Sequence, residues 1–497
     1  MPIAKLGDVA SLMALMIWIT ISTRLCAVPP NSSSRRDVKR IDASNLDYSG
    51  AVINLDLIEK ALVRKLDWRI MPTLWLMFWL NYLDRNAIAL AKLDDIEEDL
   101  NLTPAQYSTC VSILFVGYIL GGIPSNMLIT RIRPSYYLGT VMAAWAVVST
   151  LTGISQNFTG LLLTRFFLGI TEAPYYPGAL YLLSIFYTRR EVATRMAILY
   201  TGNILATAFA GLIAIGIFKM DGAAGLEGWR WLFIIQGIVT FVVAIVGVWF
   251  LPDDPLVTRW LTPDERILAN ERIKRDTVKE SGKTTPLKGL KETLSDYRIW
   301  IFMFMQHMHL AANGFKNFFP SVVQGLGFNR TTTLVLTCPP YLIAGVISIG
   351  WSWSSGRYNE RTWHITVAKC IAIVGFIVGF AVNNTAGRYV AMIIFAIGTY
   401  AVNSIILGWV GATFGQTKEK RAVAISITVS TSNVSFIWTP YLWTNSYGGH
   451  YTLALATAAG FSASTAIAAW VLKFILMRQN KRLKQESEDE TVAVYAY

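Results

Sequence analysis

Residues 161–186 read LLLTRFFLGITEAPYYPGALYLLSIF, a run of membrane-spanning length that nonetheless holds Arg165 and Glu172. At about 100° per residue, their seven-residue separation brings the two side chains to within about 20° of one helix face. Ionisable groups in a bilayer are costly and turn toward a protein interior or a water-filled cavity. The run therefore predicts a helix with a buried polar face around which other helices gather, in an all-α integral membrane protein. The Pro-Tyr-Tyr-Pro-Gly sequence after Ala173 predicts a break in that helix.

Composition agrees. Of 497 residues, 53% are hydrophobic and 15% charged, and the mean hydropathy is +0.42, well beyond a soluble globular chain. The net charge of +12 suits basic loops that orient spans and meet anionic lipid rather than nucleic acid. Cys26, Cys110, Cys338 and Cys370 form no CxxC pair, so neither a metal site nor a disulfide framework is signalled.

Working outward, apolar runs recur near residues 70–91, 107–128, 136–154, 161–186, 196–218 and 231–251. A polar stretch, 252–298, holds ten basic residues, and six more runs follow near 300–323, 333–353, 363–382, 389–409, 423–443 and 451–477. Twelve transmembrane helices are expected, in two pseudo-symmetric six-helix bundles. Residues 1–68 are expected as an N-terminal tail, 69–251 as the first bundle, 252–298 as a linker, 299–477 as the second bundle and 478–497 as a C-terminal tail. Residues 9–22 are too short for a comfortable span and resemble a signal-peptide core, with Ala27 near a possible cleavage point. They are read here as a leader without functional part, and residues 29–60 as a polar, largely disordered tail.

Alternate loops carry 32 Lys and Arg on one side against 5 on the other. The basic side is retained in the cytoplasm, which puts both termini and the linker there. Sequons at Asn101, Asn157, Asn329 and Asn383 all fall on the opposite side. Basic turns recur six helices apart, as two related bundles with a site between them near the midplane would give. Gly117-x-x-x-Gly121 and Gly375-x-x-x-Gly379 are positions where helices can approach closely.

On this topology Glu172 lies about 16 Å into its helix, near mid-membrane, where a carboxyl can exchange a proton with whichever side the cavity opens to. Arg85 and Lys316 lie at matched depths on the first and seventh helices, and two cations facing one cavity make an anion site. The duller readings are an ion pair of Arg85 with Asp84, a Glu172 held permanently by Arg165 or a neighbouring helix, and a Lys316 that snorkels outward. His309, Asn313 and Lys316 form a polar stripe on the seventh helix, from which His307 points away; Ser426, Ser430 and Asn433 form one on the eleventh. The candidate substrate-binding set is Arg85, Lys316, Asn313, His309, Asn433 and Tyr175, and the candidate proton-coupling set is Glu172, Arg165 and Asp84. No GxSxG, HExxH, Walker-type or cysteine-histidine set occurs, so an enzyme, an ATP-driven pump, a metal and a cofactor are not expected. An ion gradient is the remaining energy source.

The motifs LDWRIMP at 66–72, YLDRNAIALAKL at 82–93, IPSNMLITRIRPS at 123–135, TRFFLGITEAPYYPGALYLLSIFY at 164–187, GWRWLFIIQG at 228–237, LPDDP at 251–255, GFKNFFPSVV at 314–323 and SFIWTPYLW at 435–443 together resemble the major facilitator superfamily. Within it they resemble the fungal anion:cation symporters that include the allantoate and nicotinate permeases. The resemblance covers roughly residues 62–473 and implies proton-coupled movement of a small organic anion across the plasma membrane by alternating access, by a monomer. It assigns carboxylate binding and proton coupling to Arg85, Arg165 and Glu172. Ala87 and Leu90 stand where many relatives have asparagine, and Ser355-Gly356-Arg357 lacks the usual acid. An exporter of a secondary metabolite and a nutrient sensor share the same expected fold; the short tail after Arg478 speaks against the sensor.

Overall fold

The computed structural model describes residues 51–128, 132–276, 286–414, 418–443 and 451–486. The leader and the tail beyond 486 lie outside the described residues. In the first half, α1 (Ala51–Ala91), α2 (Pro104–Leu128) and α3 (Pro134–Thr152) are followed by α4 (Phe158–Glu172) and α5 (Tyr175–Phe186), which share one traverse. Then come α6 (Arg189–Phe218) and α7 (Gly228–Phe250). The linker contains two helices, α8 (Pro263–Asp276) and α9 (Pro286–Leu294). The seventh traverse is α10 (Tyr297–Ala312), a 3-10 turn over Asn313–Asn317 and α11 (Phe319–Gln324); the eighth is α12 (Arg330–Leu336) with α13 (Cys338–Tyr358). The ninth is α14 (Thr362–Ala381), the tenth α15 (Thr385–Tyr400) with α16 (Asn403–Thr413), the eleventh α17 (Lys418–Asn433) with short turns to Trp443, and the twelfth α18 (Thr452–Glu486).

Two starts differ from expectation. The first helix begins at Ala51 rather than near residue 70, so residues 51–60 are helical and not part of a disordered tail. Its added turns are anchored by Arg272 of α8, which bonds Glu59 and Glu191. The helix α6 begins at Arg189, seven residues before the apolar run, because Thr188 and Glu191 form a reciprocal capping box. Hydropathy marks where a helix enters lipid, whereas caps mark where its hydrogen bonds begin.

Among the described residues, seven stretches are long and apolar enough to cross a membrane by composition alone. The other traverses include the interrupted fourth, seventh and eleventh, and the first, which carries Asp84 and Arg85. Packing repeats with a shift of six traverses: α3 on α7 is matched by α14 on α18, α2 on α4 by α13 on α15, α1 on α6 by α10 on α17, and α1 on α7 by α10 on α18. The halves meet where α6 packs on α12 and α13 and where α2 packs on the turns after α17.

At the end away from the linker the halves are clasped. Arg330 pairs with Asp94, Ser108 Oγ donates to the Pro440 carbonyl at 3.3 Å, the Thr109 and Tyr441 hydroxyls meet at 3.0 Å, and Tyr107 meets Phe318 edge-on at 6.1 Å. At the linker end, the pairs Lys65–Glu265, Arg195–Asp67, Arg272–Glu191 and Lys473–Glu360 each stay within one half and its own linker helix. The linker helices follow the same division: α8 packs on α1 and α5, and α9 packs on α17.

Candidate functional site

The site begins with the break expected after Glu172. Glu172 is the last residue of α4, and Pro174, which has no N–H to continue the ladder, separates it from α5. Close helix approach sets its neighbours. A Cβ on Gly117 of α2 would fall 2.2 Å from the Phe166 carbonyl oxygen, and one on Gly169 of α4 would fall 2.0 Å from that of Leu114. Only glycine permits this contact, and it brings Tyr118 of α2 and Glu172 of α4 to the same side of α1.

There they surround Arg85. Glu172 is buried, and its Oε2 accepts from Arg85 Nε at 2.9 Å and Nη2 at 2.7 Å. Its Oε1 has no hydrogen-bond partner among the described residues. The guanidinium lies 5.1 Å from the Tyr82 ring centroid and 5.0 Å from that of Tyr118, where aromatic faces attract a cation. Arg85 keeps 14% of its side-chain surface exposed, so it borders space at mid-bundle while its carboxylate partner does not.

Asp84 and Arg165 sit apart from this pair. Asp84 Oδ2 accepts from Trp145 Nε1 and Thr240 Oγ1, both at 3.1 Å, in the core between α1, α3 and α7. Arg85 thus pairs with Glu172 rather than with Asp84. Arg165 is fully buried with no hydrogen-bond partner on its three guanidinium nitrogens among the described residues, and lies 5.2 Å from the Phe233 ring. It shares a helix face with Glu172, but seven residues are about 10.5 Å of axial rise, too far for a direct bond.

In the second half, α10 gives way to the 3-10 turn at Asn313 instead of running on to Val323. With three residues per turn, Asn313 and Lys316 stand one above the other. Lys316 is partly exposed, lies 4.2 Å from the Phe436 ring and is close enough to Arg85 for their charges to interact. Asn313 is buried with Oδ1 unpartnered among the described residues, and His309 is buried with both ring nitrogens unpartnered. The stripe therefore runs from core to open space. The partly exposed histidine is His307, which stacks on Trp438 at 5.9 Å and bonds the Thr431 carbonyl. Asn433 is partly exposed, with Nδ2 donating to the Val429 carbonyl. Tyr175 is buried, its hydroxyl donating to the Leu74 carbonyl at 2.7 Å, whereas its neighbour Tyr176 is partly exposed.

Sequence reasoning passed over Lys369 of α14, fully buried with Nζ unpartnered among the described residues. A lone lysine in an apolar run is itself the signal for such a site. It also passed over Tyr82, Tyr118, Tyr176, Tyr200 and Tyr400, for which tyrosine's ordinary frequency at helix contacts leaves no local mark. Outside the spans, partial burial raises the Glu265 carboxyl of α8, but Lys65 Nζ at 2.7 and 2.9 Å and the Thr262 N–H outweigh it and hold the group below its usual range.

This arrangement, an ion pair beside open space at the meeting of two six-helix halves, belongs to a known class of molecule. The family model described as Major Facilitator Superfamily matches residues 74–440. The major facilitator-type transporter hxnP of Emericella nidulans is 30% identical over 444 residues, covering 88% of this chain and 89% of that protein. The MFS transporter prlL of a fungal species is 32% identical over 378 residues, 74% of this chain and 76% of that protein. Among solved structures, a bacterial homologue of the human lysosomal transporter Spinster, in an inward-facing and occupied conformation, aligns with a TM-score of 0.63 at 18% identity. That alignment covers 83% of this chain and 97% of the other. The xylose transporter XylE from E. coli aligns at 0.61 and 13% identity, covering 80% and 96%. The protein is a multi-pass membrane transporter and not an enzyme, and it belongs to the major facilitator superfamily.

Proposed function

We propose that the protein takes up a small organic carboxylate together with a proton, by alternating access across the plasma membrane, with the linker and both termini in the cytoplasm. The observation that carries this reading is the buried Glu172 carboxylate held by a partly exposed Arg85 that faces Lys316 across the halves. An incoming carboxylate competes with Glu172 for Arg85, and Glu172 gives up the guanidinium at least cost when it carries a proton, since an unpaired buried carboxylate is expensive. Anion and proton thus load together. Asn313 and Asn433 offer amide donors to the anion, and Arg165 and Asp84 tune the charge around Glu172 from the core. The clasp at the end away from the linker supports a site that opens on the linker side, so that uptake ends with release into the cytoplasm. A monomer suffices, because both cations come from one chain.

The test is uptake of a panel of labelled carboxylates by cells lacking their own carriers, with and without a protonophore. Glu172→Gln is expected to lose uphill uptake while keeping exchange across equal gradients. Uphill, protonophore-sensitive uptake by that variant would remove Glu172 from proton coupling.

A further inference from the structure

The chain between α7 and α8 is polar by composition, yet its first turn presents apolar side chains outward: Leu256 is 48% exposed and Val257 58%. They are held there. Ser135, at the start of α3, donates its N–H and its hydroxyl to Asp253. Asp254 Oδ1 accepts from the Leu256 N–H at 2.9 Å, and the Thr258 hydroxyl closes the turn on the Asp254 carbonyl at 2.6 Å. The turn also continues a lipid-facing stripe, because Ile238, Val242, Ile245 and Trp249 follow one another at helical spacing on the exposed side of α7, and Trp249, 72% exposed, ends it.

Two cations border this apolar patch. Arg69 of α1, next to the apolar run that begins at Ile70, lies with its guanidinium 5.2 Å from the Trp260 ring. Arg259 donates from Nη2 to the Tyr136 hydroxyl at 3.3 Å. Both arginines are exposed. Neither has a carboxylate partner among the described residues, whereas Lys65 and Arg195 at the same end are paired with Glu265 and Asp67. The acids of the turn are used within it, Asp253 on Ser135 and Asp254 on the Leu256 N–H. Tryptophan rings, unpaired cations and aliphatic side chains in one patch match the headgroup level of a bilayer, where rings sit at the water boundary and cations meet anionic lipid. We infer that residues 254–260 lie in the linker-side leaflet and hold an anionic phospholipid, its phosphate at Arg69 and Arg259 and its acyl chains along Trp249, Leu256 and Val257. A soluble anion needs only the arginines; the exposed aliphatic side chains beside them favour a lipid. Arg69 stands about 24 Å along α1 from Arg85, so the lipid site is separate from the transport site and does not depend on the substrate carried.

Purified full-length protein in neutral detergent is titrated with phosphatidylserine, with phosphatidylcholine of the same chains and with glycerol 3-phosphate, and the concentration giving half the maximal rise in Tm is read. A cation near an anionic surface is worth roughly fivefold in affinity. Phosphatidylserine is therefore expected to act at a concentration about tenfold or more below phosphatidylcholine, and glycerol 3-phosphate to have no effect. Arg69→Gln with Arg259→Gln should bring the ratio of the two lipids close to one, and Arg259→Gln alone reads the same ratio if the double variant fails to fold. Leu256→Ser with Val257→Ser should weaken both lipids and keep their ratio. Lys481→Gln with Arg482→Gln, which removes two exposed cations elsewhere at the same end, should change neither. Equal action of the two lipids on wild type, an unchanged ratio in the arginine variants, or an equal loss of ratio in the Lys481 and Arg482 variant overturns the site. Glycerol 3-phosphate acting as well as phosphatidylserine replaces the lipid by a soluble anion, and unchanged lipid binding in the serine variant overturns the placing of the turn in the leaflet.

Discussion

In the first half of the molecule the membrane-embedded acids have cations at hand: Glu172 is held by Arg85, and Asp84, bonded by Trp145 and Thr240, lies within reach of the Arg165 charge. The second half has no such balance. Between Tyr297 and Gln485 the only acids are Glu360 and Glu419, at helix ends, while Lys316 and Lys369 lie within the spans. A bilayer penalises uncompensated charge; the acids of the first half have cations beside them, whereas the lysines of the second half suit the anionic substrate proposed above. The proposed site uses both: one half supplies a cation with a removable counter-ion, the other a cation with none among the described residues.

The largest expected effect comes from breaking the balanced half. Arg85→Ala leaves Glu172 buried and unpaired, which should cost about 3–5 kcal/mol, read as a lower Tm of the purified protein. Arg85→Ala combined with Glu172→Gln should recover much of that stability without recovering carboxylate binding; a single variant with the wild-type Tm would show that the pair does not hold α1 to α4. In the unbalanced half the expectation reverses. Lys316→Gln should weaken carboxylate binding about tenfold or more, the value of a hydrogen bond to a charged group, with little change in Tm, and wild-type affinity would remove Lys316 from the site. Lys369→Met should leave the protein as stable or stabilise it by about 1 kcal/mol, because it removes a buried amine without a described partner; a clear loss of Tm would mean that the amine is compensated.

The smallest effect lies outside the membrane. Glu265 binds its proton less readily when folded, so its contribution is present above the normal carboxylate range and is lost as pH falls through the lowered value. The Lys65–Glu265 pair is partly exposed, and Glu265→Gln should cost at most about 1 kcal/mol. Protease protection of the linker helix α8 should fall in that variant at neutral pH and match wild type in acid.

Much of the fold was legible because it depends on local quantities. Apolar length marks a span, and the break at Pro174 follows from a missing N–H. The candidate site was legible as a set of expensive residues, Arg85, Arg165, Glu172 and Lys316, since each stands out against an apolar run. Their grouping was not. Tyr175 and Tyr176 are neighbours in sequence, yet one hydroxyl is spent on the Leu74 carbonyl in the core and the other ring stands at open space. His309 and His307 divide the same way, and which of each pair faces the core depends on a helix rotation that no single-helix pattern sets.

The sequence by itself determined that the chain spans a membrane in two related halves and which charges must be carried into it, because transfer of a residue from water to hydrocarbon is a property of that residue. Only the tertiary structure decided that Glu172 belongs to Arg85 and not to Arg165 on its own helix face. Axial rise keeps side chains seven residues apart from touching, while glycine contacts between α2 and α4 set the crossing that brings a third helix within hydrogen-bond distance.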